Sequence, residues 1–175
     1  MPARNKGALD EPTLAHIATH AVRNSKDLLN EAEVLSRAGR WARAAALAVL
    51  SVEESGKAHL CHVWAFHVLP AVDDPKDDRL WQPFWDAFVD HPGKIDLWVS
   101  KVDGVGGCGD FGAWIDLAKN AHLNKLSCLY VDFVVPERAV TAPEYITESD
   151  AQQMMDLAQE ASDFWDSHGW GVDTR

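Results

Sequence analysis

Apolar positions recur at helical spacing from the first dozen residues onward. Leu14, Ile17, Ala18, Ala21, Leu28, Ala32 and Leu35 mark one stripe. They predict a helix starting near Pro12, with Asp10 and Glu11 suited to its N-terminal end. Ala38-Gly39 supplies a stop and Arg40-Trp41 a new start, and two long helices joined so closely should form an antiparallel hairpin. The second helix is predicted over Trp41 to Leu69, before Pro70. Its stretch Ala44 to Val52 reads AAALAVLSV, and a helix that is hydrophobic all round is a buried one.

The remaining pattern is also helical. An acidic loop over Ala71 to Arg79 precedes a third helical region beginning around Trp81, with Phe84, Trp85, Phe88, Leu97 and Trp98 and a break at His91-Pro92-Gly93-Lys94. The glycine-rich segment Asp103 to Asp110 reads as a flexible loop. A fourth helix is predicted from about Phe111 to Tyr130, striped by Trp114, Ala118, Ala121, Lys125 and Leu129. Pro136 and Pro143 bracket an irregular connection, and Leu129 to Val135 is the one stretch with any strand character. Thr147-Glu148-Ser149-Asp150 resembles a capping box and opens a last helix, 147–168. The expectation is an all-α, mainly antiparallel bundle of about five helices, with 1–175 as a single helical domain.

Composition narrows the function classes. The net charge is −11, but residues 1–45 hold seven Lys or Arg against five Asp or Glu, whereas residues 46–175 hold nine against twenty-two. Such a field repels a nucleic-acid backbone, so RNA binding would need a local basic patch. Arg37, Arg40 and Arg43 are the best candidates, and helix capping in water is their alternative use. Cys61, Cys108 and Cys128 are odd in number and widely spaced, which fits a reduced, cytoplasmic protein. No run is apolar and long enough for a membrane span, and the polar N-terminus lacks a signal core.

The chemistry-bearing feature is Glu53-Glu54-Ser55-Gly56-Lys57. Helical spacing puts Glu53 on the face of Val49, Leu60 and Val63, and Glu54 with Leu47, Leu50, Ala58 and Cys61. Two carboxylates thus enter a core helix, where charge is costly unless paired. A solvated Glu53–Lys57 pair at i,i+4, contributing ~0.3 kcal/mol, is the plainer reading. Lys125 with His122, Tyr130 and Asp132, and His91 with Lys94, supply matching groups further along. Together they could form an interhelical network fixing register, or a functional cluster. His16 with His20 and His59 with His62 lack a clear third ligand, so no metal is expected. Asp103 to Gly107 fits no phosphate loop, the Glu-x-x-His of di-iron bundles is missing, and no cofactor is expected.

In order along the chain, Asn24, Leu28-Leu29, Ala38-Gly39-Arg40, the Glu-Glu-Ser-Gly-Lys segment, His91-x-x-Lys94 and Lys125 with Leu129-Tyr130-Val131-Asp132 resemble the AbiV family of abortive infection proteins, in the HEPN superfamily. The resemblance spans roughly residues 15–135 and leaves out the last helix. It implies a helical bundle, often dimeric, acting in defence against phage through RNA, the ribosome or a phage protein. Many HEPN proteins are metal-independent ribonucleases using Arg-x(4–6)-His. No arginine here has a histidine at that spacing, so cleavage would fall to His91 with Lys94, or His122 with Lys125. A helical interaction module without catalysis is a further alternative. Trp81, Trp85 and Trp98, among eight tryptophans, predict a symmetric homodimer through their aromatic surface.

Overall fold

The computed structural model describes residues 6–90, 93–94, 132–135, 138–140 and 146–168, with backbone alone for 132–135 and 138–140. Helix α1 spans Glu11–Arg37. Its first turn is fixed by Asp10, whose carboxylate accepts from the Thr13 amide at 2.9 Å, and that bond holds the Asp10 carboxyl below its ordinary value of 3.8. At the far end Gly39 takes φ +69°, a left-handed conformation that glycine adopts without a Cβ clash. The Gly39 amide then reaches Ser36 O and the Arg40 amide reaches Leu35 O, both at 2.9 Å.

This tight corner turns the chain into α2, Trp41–Val63. Ala44, Ala45, Ala46 and Ala48 are all buried, and such small side chains let α1 and α2 lie close along their length. The predicted helix to Leu69 continues without a stop but changes pitch, through a π turn at Trp64–Val68 and a 3₁₀ turn at Leu69–Ala71. Phe66 and His67 are thereby turned outward.

Helix α3, Asp78–Val89, starts earlier than Trp81. Asp77 explains the difference, since its side chain caps the helix by accepting from the Arg79 amide at 2.9 Å. Trp81, Phe84 and Trp85 are buried; the Trp81 indole donates to Pro75 O at 2.7 Å and the Trp85 indole to Gly7 O at 3.0 Å. Helix α4, Glu148–Ser167, carries the expected capping box between Thr147 and Asp150. It packs on both α1 and α2. Lys26 bonds Asp166, whereas Arg37 shares a groove with Gln152 and Asp156, so α4 runs antiparallel to α1.

The chain is a helical bundle, with four α-helices among the described residues. A small antiparallel pair accompanies them, β1 Asp132–Val135 with β2 Arg138–Val140. The suspected strand character thus falls on 132–135 and includes a partner in the segment expected to be irregular. The predicted helix over 111–130 and the glycine-rich loop lie outside the described residues. No described helix is long and apolar enough to cross a membrane.

Candidate functional site at the centre of helix 2

The acidic motif straddles the boundary between core and surface. Glu53 is 2% exposed, beside Val49 and Leu60, as the helical spacing predicts. Glu54 and Lys57 lie at the edge, with side chains 19% and 21% exposed. Lys57 Nζ bonds Glu54 Oε1 at i,i+3, and it stands 5.7 Å from the centroid of the Phe88 ring on α3. The ammonium therefore has a carboxylate for its charge and an aromatic face beside it, a contact contributing about 0.5–1 kcal/mol where partly exposed. The i,i+4 surface pairing is corrected on one point: Glu53 is buried, so the motif is not a wet helix face.

Gly56 explains how a second buried charge reaches this place. A Cβ on Gly56 would stand 2.0 Å from the carbonyl oxygen of Lys94 and 2.7 Å from its carbonyl carbon. The backbone after α3 thus crosses α2 at a point where only a hydrogen fits. Lys94, 4% exposed, is carried in at that crossing, and its amide donates to Asp90 O at 3.1 Å. Glu53 is one helical turn before Gly56, on the same face. Two buried ionisable groups from separate elements therefore flank a single backbone crossing, and neither is without a partner.

Behind the motif runs a chain of hydroxyls. Ser25 Oγ lies 3.0 Å from Ser51 Oγ and 2.9 Å from Ser55 Oγ, and Ser51 donates to Ser25 O at 2.8 Å. All three serines are buried. One proton order satisfies every contact, with Ser55 donating to Ser25, Ser25 to Ser51 and Ser51 to the carbonyl. Sequence reasoning passed over these residues; the signal was Ser51 and Ser55, polar at i,i+4 inside an alanine-rich helix.

Other candidates separate from this place. His91, His122, Lys125 and Tyr130 lie outside the described residues, and Asp132 opens β1. His16 and His20 are exposed neighbours, with ring centroids 4.4 Å apart. Among the described residues no three His, Cys, Asp or Glu side chains gather as a metal site would require. Cys61 is fully buried, and burial pushes its thiol up to about 12, which leaves it a poor nucleophile. A cleft of about 680 Å³ between the start of α1 and Leu69–Lys76 takes in none of the predicted site residues.

The family model HEPN_AbiV, described as AbiV, matches residues 13–163. The chain belongs to the AbiV family. The match covers α1, α2, α3 and most of α4, so the last helix, left out of the sequence resemblance, is part of the family's domain. AbiV is an HEPN-type family of abortive-infection proteins, and HEPN domains commonly dimerise. No curated protein and no solved structure matches the chain.

Proposed function

We propose that this AbiV protein defends against phage by binding a component of the expression machinery, RNA or the translation apparatus, without cutting RNA. The observation that carries the reading is the burial of Glu53 and Lys94, at 2% and 4% exposure. Metal-independent RNA cleavage needs a base or acid within reach of the reacting oxygen and a cation at the phosphate. Side chains so nearly closed to solvent meet neither need, which favours a role in holding the bundle. The missing Arg-x(4–6)-His spacing supports the same reading. A homodimer is part of the proposal; of the tryptophans expected to form its aromatic surface, Trp81 and Trp85 are buried inside the bundle and Trp98 lies outside the described residues, so the support passes to Phe66 and Val89, large apolar residues 43% and 48% exposed.

Purified protein incubated with total RNA in chelator should leave the RNA intact, while tagged protein from infected cells should bring down RNA or translation components. Discrete cleavage that disappears in His91→Ala or His122→Ala would overturn the proposal in favour of a ribonuclease. Light scattering at tens of micromolar should give the mass of a dimer, and a monomer would remove that part.

A further inference from the structure

We infer that the corner between α1 and α2 is a docking surface for single-stranded RNA, an inference that rests on the binding role proposed above. Arg37, Arg40 and Arg43 fall within seven residues of chain and are all exposed. Arg37 stands 3.6 Å from Glu33, with 70% of its side chain open to solvent. Arg40 and Arg43 have no ion-pair partner among the described residues. Between them stands Trp41, a large ring 37% exposed, and Val34 nearby is 58% exposed. Three arginines and an open indole thus lie within seven residues of a chain whose residues 46–175 are strongly acidic.

Folding accounts for Arg37 but not for Arg40 and Arg43. Arg37 lies in the last turn of α1, where a cation complements the helix dipole. Arg40 and Arg43 lie at the opposite kind of end. Arg40 is the N-cap of α2, makes no side-chain capping bond, and no acidic residue occupies that first turn. Cations there oppose the dipole, so the helix gains nothing from them. Trp41 likewise leaves over a third of its surface in water.

Their combined chemistry fits one partner well. Guanidinium groups fork onto phosphate oxygens, and an open indole accepts a stacked base. Stacking requires a base free of its duplex, and in A-form RNA the base faces are already stacked on one another. Three arginines can neutralise about three phosphates, so the logarithm of affinity should fall against the logarithm of salt with a slope of about −2.

The test is fluorescence anisotropy of the full chain with a labelled single-stranded oligoribonucleotide, and with the same strand annealed to its complement, across a salt series. Wild type should bind the single strand better than the duplex, with the slope just given. The Arg40→Ala/Arg43→Ala variant should reduce the slope to about −0.7. Trp41→Ala should weaken binding on the order of tenfold, and Trp41→Phe, which keeps a stacking face, should weaken it less. Melting curves of the arginine variants should match wild type, since those side chains are exposed, whereas Trp41→Ala also gives up the covered part of its ring, so Trp41→Phe serves as the packing control. Failure to bind at low salt, equal binding of duplex, or unchanged variants would overturn the inference, as would preferential binding of poly-glutamate. If RNA binding fails while the protein still brings down translation components, this inference falls and the proposed function stands. If neither occurs, both fall.

Discussion

Replacing Gly56 by alanine sets two expectations against each other. On an open helix the change should stabilise, because alanine is favoured over glycine by roughly 0.8–1 kcal/mol. Here the new methyl would meet Lys94 backbone atoms at 2.0, 2.7 and 3.1 Å, well inside the separation of about 3.5 Å at which carbon atoms rest. No rotamer relieves a backbone contact, so the crossing segment must retreat by more than an ångström, loosening Lys94 from its buried place. Overpacking of this kind costs about 1–3 kcal/mol, and the displaced charge puts the outcome at the upper end before the propensity gain is subtracted. A net loss of about 1–2 kcal/mol should lower the melting temperature by roughly 2–8 °C for a chain of this size. Calorimetry reads that shift, and hydrogen exchange of the peptide containing Lys94 should show faster exchange. A variant that melts higher than wild type would refute the close crossing and with it the account of how Lys94 is buried.

Four further outcomes follow from the same structure. Glu53→Ala should destabilise by about 3 kcal/mol or more in a denaturant titration, since it abandons partners inside the core, whereas Glu54→Ala should cost under ~1 kcal/mol because its pair is partly solvated; equal losses would contradict the burial difference. Thr147→Ala should cost about 0.5–2 kcal/mol by removing the cap of α4. Hydrogen bonds from Thr147 hold the Asp150 carboxyl below its ordinary value of 3.8, so that carboxylate stabilises the fold above pH ~4 and loses its contribution as pH falls through the lowered value; wild type should therefore lose more stability on acidification than Asp150→Asn. Native Cys61 should resist alkylation at pH 8 on mass-spectrometric mapping and react after unfolding, in keeping with a buried thiol pushed up to about 12.

Much of the bundle was legible because its signals are local. The cap at Asp10, the glycine at the corner, the all-apolar face of α2 and the Thr147 box each act within a few residues, and period alone placed Glu53 inward. What escaped was set by distant contacts. Lys57 turned to Glu54 with Phe88 alongside, because α3 docks there. Nothing in the spacing of Gly56 announces that Lys94 crosses above it. The serine chain needs Ser25 on another helix before Ser51 and Ser55 make sense. The strand pair around Asp132 depends on a partner that only the folded chain supplies.

The burial of the motif also changes how loss of function should be interpreted. Glu53, Gly56 and Lys94 belong to one crossing, so damage to any of them loosens the way α3 is followed onto α2. Loss of phage protection in such a variant would be ambiguous, because a partly unfolded protein defends no better than one that has lost its binding surface. The exposed arginines of the corner are free of that ambiguity. Their substitution leaves the core intact, so any protection they remove is lost through a missing contact. Pairing a plaque assay with a melt therefore sorts the residues by mechanism. Core variants should lose protection in proportion to stability, and corner variants should lose it at unchanged stability. Protection that survives a stable, well-folded Glu53→Gln variant would place this charge wholly in the architecture and leave the surface to do the recognising.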